Sequence, residues 1–514
     1  MSSTFVAIEV VPAATMPGTH PDFDGDGFGD YAVGAAGENR GAGAVYVFYG
    51  AEPAAANRLL FFDQATAGIP GITHDAESLG ASLASGDFNG DGYDDLAAGI
   101  PGDVIATKRA AGSVLVLYGS ANGLTAAGSE LWHQDVGQIA STTAPAELFS
   151  TALAAGDFND DLLDDLAIGI PGERINGRRR AGAVAVLNGC VCGLTDIGSR
   201  RFTQATNGIA GIPELSDNFG YSLAVGRFGG DEIDDLAIGV PGDFATTHAG
   251  AGAVHILRGA SGTALDPSTS QTLTERNFRN VGSAGRQVSD FFGWSIAAGD
   301  LNLDGIDDLA VGAPGEASGA VAFAGAVFVA TGDADLLGLT MSQMLNQETT
   351  GIPGGSRRGQ EFGHSVLIAR LADVDGGGAD DVLVIGVPFE DLSGAIDGGQ
   401  AHVLFPSVAG ATATDSVVFT LNTDGVLGAP TRSGWFGATL GAVDTDADGL
   451  AELLVGSPGE DVGKYLSAGA LTRFGDAMNA PSNSGSVHWT ENSPGVVGSA
   501  RKGDYFTSAV TFPR

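Results

Sequence analysis

The chain has 514 residues, 81 of them glycine, with 24 Lys and Arg against 62 Asp and Glu and a formal charge of −38. That balance excludes a nucleic-acid partner, whose phosphates need a basic face, and no apolar run approaches the roughly 18–20 residues of a membrane helix. Length alone suggests about three domains, but internal repetition overrides it. Residues 1–21 lack the basic start and apolar centre of a secretory leader, so either none is needed or it has been removed. They are expected to form an N-terminal extension or edge strand. Cys190 and Cys192 are one residue apart and read as two small turn residues, with a local disulfide the alternative.

From residue 22 onward one line is written seven times. It runs "PDFDGDGFGDYAVGAAGE" (21–38), "GDFNGDGYDDLAAGIPGD" (86–103), "GDFNDDLLDDLAIGIPGE" (156–173) and "GRFGGDEIDDLAIGVPGD" (226–243). It returns as "GDLNLDGIDDLAVGAPGE" (299–316), "ADVDGGGADDVLVIGVPFE" (372–390) and "VDTDADGLAELLVGSPGE" (443–460). The acidic loops start at 22, 87, 157, 227, 300, 373 and 444, a period of 65 to 73 residues. Such a period marks a repeat architecture.

Each copy has the same accompaniment. A short segment such as "FGYSLAVGRF" (219–228) precedes the loop, and "DDLAIGIPG" follows it. Next comes an apolar run such as "AGAVHILRG" (250–259), then a fourth segment such as "RFTQATNGIAG" (201–211). Short Val-, Ile-, Leu- and Phe-rich runs bounded by Gly, Pro, Asn and Asp are strands. The third is continuously apolar and must be covered on both faces. Four such strands per repeat describe a propeller blade, and helical periodicity is nearly absent.

The chain ends predict how the ring closes. The first repeat begins at its acidic loop, while "YFTSAVTFPR" (505–514) reads as the missing first strand with no loop after it. A blade made of three N-terminal strands and one C-terminal strand closes the ring and removes its open edges. The expected fold class is therefore all-β: residues 22–514 form one seven-bladed propeller of four-stranded antiparallel blades.

The pairs Phe219-Gly220, Phe292-Gly293, Phe362-Gly363 and Phe436-Gly437, together with "GIP", "GVP", "GAP" and "GSP", resemble the FG-GAP repeat of integrin α propellers. The resemblance spans residues 22–512. It implies calcium in the acidic loops on one face of the ring and partner binding on the other. The repeat also resembles that of certain lectins and of domains beside enzymes, so it speaks to fold more than to function.

The loops carry their own argument for calcium, which takes six to eight hard oxygen ligands. Carboxylates or amides at positions 1, 3, 5 and 9, a carbonyl at position 7 and glycine at position 6 supply five or six of them. Four loops are complete: Asp22, Asp24, Asp26, Phe28 and Asp30; Asp87, Asn89, Asp91, Tyr93 and Asp95; Asp300, Asn302, Asp304, Ile306 and Asp308; and Asp444, Asp446, Asp448, Leu450 and Glu452. The third offers Asp157, Asn159, Asp161, Leu163 and Asp165, but Leu162 stands where glycine belongs, which strains the turn. About five structural Ca2+ sites are expected. The sixth loop keeps Asp373, Asp375 and Asp381 with Gly377 at position 5, a weak site at best. In the fourth, Arg227 and Gly229 replace ligands, and Arg227 is expected to stand in for the cation beside Asp231 or Asp235. An EF-hand is excluded: position 12 is Val33, Ala98, Ile168, Val311 or Val455, and the flanks are strands. The seven loops hold 29 of the 62 acidic residues, a concentration that general halophilic acidity would not produce.

The opposite face carries the non-repeating loops, where function concentrates. "VIATKRA" (104–110) and "RINGRRR" (174–180) occupy the same connection in adjacent blades, making Lys108, Arg109, Arg174, Arg178, Arg179 and Arg180 a candidate patch for an acidic protein or glycan ligand. Lys502-Gly503-Asp504 resembles a short adhesive tripeptide, a triplet that chance also supplies. The eight histidines show no metal-ligand spacing. "GYSLA" and "GWSIA" look faintly like nucleophile elbows but belong to the repeated first strand. No catalytic residue is expected, and a non-enzymatic, monomeric, extracellular or cell-surface recognition module follows. A lectin, marked by Trp132, Trp294, Trp435 and Trp489, and an accessory domain of a larger secreted enzyme are the alternatives.

Overall fold

The computed structural model describes residues 21–50, 58–137, 139, 143–244, 250–281, 288–333, 339–374, 378–475 and 481–510; the extension expected over residues 1–21 falls, but for Pro21, outside them. Seven four-stranded antiparallel sheets form the blades of one ring. In the second blade the strands are Leu83–Gly86, Asp95–Ile100, Ser113–Tyr118 and Thr125–Trp132, paired in sequence order. Second strands are buried along their whole length except at Asp380 and third strands nearly so, whereas fourth strands such as Thr125–Trp132 are half exposed at the rim. The first strands pack on one another around the axis.

Ring closure is as the ends predict. Phe506–Val510 pairs antiparallel with Tyr31–Ala35, completing a blade with Val45–Phe48 and Leu59–Phe62. Two sequence expectations need correction. The fourth strand of the third blade is Gly193–Phe202, so most of "RFTQATNGIAG" is the turn after it. Cys190 and Cys192, read as two small turn residues, are joined in a disulfide around the exposed Val191.

The repeated Phe-Gly has a packing cause. Phe219, Phe292, Phe362, Phe436 and Phe506, fully buried, each bridge a glycine opening the third strand of the preceding blade; Leu79 does so in the second blade. At Gly252 (φ +84°) a Cβ would lie 2.1 Å from the Phe292 carbonyl oxygen, so only glycine admits this approach. The motif is therefore a device that joins blade to blade.

Candidate functional site

The acidic loops connect first and second strands on one face of the ring. Each opens on an aspartate that folds it: Asp22 accepts the N–H groups of Gly25 (2.7 Å), Asp26 (3.1 Å) and Gly27 (2.9 Å). Asp87 and Asp157 do the same, and Asp300 and Asp444 each accept two such bonds. Position 6 is left-handed in these five loops, from Gly27 (φ +88°) and Gly92 (φ +86°) to Leu162 (φ +70°), so the third loop does hold a side chain where glycine is favoured. Phe28, Tyr93, Leu163, Ile306 and Leu450 sit half-buried at position 7 and donate their N–H to the aspartate at position 5, namely Asp26, Asp91, Asp161, Asp304 and Asp448.

Position 9 anchors the loop to the blade. Asp30 accepts from Phe23 (2.8 Å) and Gly50 (2.9 Å), Asp95 from Phe88 (3.0 Å) and Gly119 (2.8 Å), and Asp308 from Leu301 (3.0 Å) and Gly332 (2.9 Å). Asp165 accepts from Gly189 (3.0 Å) and from the Asn159 amide (3.1 Å). Burial nonetheless pushes Asp30, Asp95 and Asp308 up to about 8 and Asp165 to about 7. A buried carboxylate held away from its charged form, beneath further carboxylates, suits a cation. In the first loop Asp22, Asp24 and Asp30 bring one oxygen each within 4.8 Å of one another, and Asp24 Oδ1 is buried without a donor. Asp444, Asp446 and Asp448 converge equally in the seventh. The second, third and fifth loops, with Asn89, Asn159 and Asn302 at position 3, bring no three carboxylates this close among the described residues.

The sequence missed position 8. The Asp22 N–H donates to Asp94 of the next blade (2.8 Å) while the Asp94 N–H returns to the Asp22 carbonyl (3.2 Å). Asp87 with Asp164 and Asp157 with Asp234 repeat the exchange, so the loops are stitched blade to blade. The doubled "DD" carried this signal: one aspartate serves its own loop, the other its neighbour's.

Two loops depart from the expected register. In the fourth, Arg227 does not reach Asp231 or Asp235; its Nε donates to Asp234 (3.1 Å). The cation beside Asp235 is Arg258, from the end of the third strand, 3.5 Å away and 8 % exposed. It fills the space that Gly229 leaves, since a Cβ there would lie 1.5 Å from Arg258 Nη1. In the sixth blade the loop begins at Arg370, not Asp373: the Arg370 carbonyl accepts from Ala451, as the Asp22, Asp87 and Asp157 carbonyls accept in their blades. Asp381 accordingly takes the inter-blade place, accepting from the Asp300 N–H (2.8 Å), and is no position-9 ligand. Asp373 lies in the extended hairpin, and Asp375 and Gly377 fall outside the described residues.

On the other face Lys108 is engaged with Asp135 (3.3 Å) and Thr143 (2.6 Å). Arg109, Arg174, Arg178, Arg179 and Arg180 are exposed, with no ion pair among the described residues; a tight turn closed between Ile175 and Arg178 presents the last three. At the axis lies a cavity of about 820 Å³. It exists because the residue after the Phe-Gly position is small in four blades, Ala81, Thr151, Ala438 and Ser508. In the other three it is Tyr221, Trp294 and His364, which pack together with ring centroids 4.8 and 5.8 Å apart. Arg501 and Lys502 border the cavity, but Asp504 is 2 % exposed, so the Lys-Gly-Asp triplet is not displayed. The tryptophans are committed within the fold: Trp132 to Glu130 (2.9 Å), Trp489 to Phe48 (5.6 Å), and Trp435 to Phe389 (6.5 Å).

Residues 79–117, 149–187, 292–329 and 436–472 match the FG-GAP repeat. The molecule is thus a seven-bladed β-propeller carrying FG-GAP repeats; those matched are the second, third, fifth and seventh blades. The remaining ones are the blade split between the chain ends and the two with arginine at loop position 1. The chain is 34% identical to integrin alpha-5 of Xenopus laevis over 248 residues, 47% of this chain and 20% of that one. It is 29% identical to integrin alpha-V of Gallus gallus over 266 residues, 50% and 22%. It is also 32% identical to phosphatidylinositol-glycan-specific phospholipase D of Bos taurus over 163 residues, 32% and 18%. The chain spans about a fifth of the length of these curated relatives. Among the described residues no helix is long and apolar enough to cross a membrane.

Proposed function

We propose that this protein is a calcium-stabilised, non-enzymatic recognition module that binds a protein partner through the face opposite its acidic loops. The observation that carries the reading is the division of charge between the faces. One face buries carboxylates under loops of oxygen ligands; the other exposes Arg174, Arg178, Arg179 and Arg180 in a chain of net charge −38. Calcium in the loops supplies the positive charge that lets the position-9 carboxylates ionise in place, so its role is structural. Asp22, Asp24, Asp26 and Asp30 in the first loop and Asp444, Asp446, Asp448 and Glu452 in the seventh would hold it, with Asp87, Asp157 and Asp300 opening the other three sites. The weak affinity of such open sites, about 10⁻⁴–10⁻³ M in extracellular modules, suits the calcium outside cells and a surface or secreted location.

The partner surface is the arginine turn and the neighbouring axial cavity, and the ligand chemistry is acidic. Immobilised acidic peptide, presented in millimolar calcium, tests it. Binding that falls at least tenfold when Arg174, Arg178, Arg179 and Arg180 are changed to Ala supports the reading, and unchanged binding refutes it. A second reading, an accessory domain of a larger secreted enzyme, is favoured by the match to phosphatidylinositol-glycan-specific phospholipase D. The lectin reading loses its main support, because the tryptophans that would line sugar pockets pack against the fold's own residues.

A further inference from the structure

The seven blade junctions on the face opposite the acidic loops repeat a second arrangement that the motif does not advertise. The acidic residue in the turn after a blade's second strand, such as Glu38, Glu173, Asp243 or Glu390, meets a residue just past the preceding blade's fourth strand or one from the connection between blades. At three junctions that acid receives an N–H donor from a glutamine. Gln134 donates to Glu173 (2.5 Å), Gln204 to Asp243 (2.8 Å) and Gln360 to Glu390. At the junction leading into the seventh blade His488 Nε2 stands 3.4 Å from Glu460.

At the junction that closes the ring the donor is missing. Glu491 stands where Gln134 and Gln204 stand in their blades, and it faces Glu38 and Asp504. The three residues are 1 %, 5 % and 2 % exposed, and one oxygen from each lies within 4.8 Å of the others. Glu491 Oε2 and Glu38 Oε2 are buried and accept no hydrogen bond. The surrounding polar groups do not balance the charge. Tyr46 donates to Glu491 Oε1 (3.3 Å), the Arg501 N–H donates to Asp504, and Arg501 Nη1 is 3.6 Å from Glu38 Oε1. With all three ionised, three carboxylates against one guanidinium would leave two uncompensated negative charges in a buried space. Asp504 also borders the axial cavity, which gives an ion a path from solvent.

We infer that Glu38, Glu491 and Asp504 form a further divalent-cation site, separate from the acidic loops and on the opposite face, where a hard, oxygen-seeking ion such as Ca2+ joins the seventh blade to the first. Three carboxylates can offer up to six oxygens to such an ion, and two positive charges match the uncompensated pair. The site sits on the junction made by the two chain ends, so an ion there fastens the ring where it is closed without a continuous chain. The junction between the fourth and fifth blades carries the same exchange of Gln for Glu, as Glu275 with Asp290 and Glu316.

The test is Glu491→Gln, which installs the residue that other junctions already hold and so suits the fold. Calcium bound per chain is counted by equilibrium dialysis for the wild type and the variant, whose acidic loops are identical. One ion fewer in the variant supports the site. Urea midpoints give the second readout: the variant should be less stable than wild type in millimolar calcium and more stable in chelator, where it removes a buried repulsion. Asp504→Asn serves as the second variant and should give the same pair of shifts. Equal ion counts, with the variant more stable in both buffers, would mean that the carboxylates share protons and hold no metal, and would overturn the inference.

Discussion

Replacing Arg258 by Met removes the fourth loop's internal cation while keeping most of its apolar stem. The guanidinium lies 3.5 Å from Asp235, with the two residues 8 % and 0 % exposed. At that separation and an effective dielectric constant near 20, the attraction is about 5 kcal/mol, and breaking a buried pair by removing one partner costs ~3–5 kcal/mol. The loss is limited by an escape route. Burial already pushes Asp235 up to about 7 even with Arg258 present, so without it the carboxylate binds a proton more readily. The variant should therefore lose about 1.4 kcal/mol at pH 8, one unit above the wild-type value of about 7, where wild-type Asp235 is ionised and paired. The penalty should shrink toward pH 5, where the carboxylate is protonated in both proteins. Urea unfolding at pH 5 and 8, with and without calcium, measures this, and a cycle with Asp235→Asn isolates the pair term. A penalty under 1 kcal/mol at pH 8, or one that does not change with pH, would refute the view that Arg258 takes the place of an ion.

Removing calcium should reverse the pH dependence of stability. With chelator, Asp30, Asp95 and Asp308, raised to about 8 by burial, hold protons that the unfolded chain has lost, so stability is fully present below about pH 4 and declines toward pH 8, by ~1.4 kcal/mol per pH unit for each group. In millimolar calcium the ion competes with those protons and melting temperatures should rise over the same window; parallel slopes would count against loop-bound calcium. Leu162→Gly, at a φ of +70° and 88 % exposure, should stabilise the third blade by about 0.5–1 kcal/mol in urea melts. Combining Arg227→Asp, Gly229→Asn, Glu232→Gly and Arg258→Tyr gives the fourth loop the ligand set of the second, and one additional calcium per chain should appear in equilibrium dialysis.

Much of this molecule can be read from its sequence because its repeats impose the same backbone demands seven times. Glycine at a left-handed turn, phenylalanine against a glycine of the preceding blade and an aspartate capping three N–H groups leave fixed spacings, and blade number and ring closure follow from them. What escaped the spacing came from partners that the chain supplies at a distance. Arg258 is 31 residues from Arg227 along the chain, yet strand pairing carries it over Gly229, where the side chain's absence is the only local trace. Arg370 was hidden because the sixth hairpin is longer and Asp373 mimics the start of a loop; counting eight residues from Phe362, as from Phe149 to Asp157 or Phe219 to Arg227, would have found it. Arginine then stands at position 1 in the fourth and sixth blades, between blades whose loops open on aspartate. The alternation has a physical consequence. The inter-blade hydrogen bonds at Arg227 and Asp300 survive in these blades, because they use the backbone N–H of position 1 and a carboxylate from the next blade. On the proposed calcium reading, a blade exchanges its ion for a guanidinium without unstitching the ring, and the cation requirement falls on individual loops rather than on the propeller as a whole.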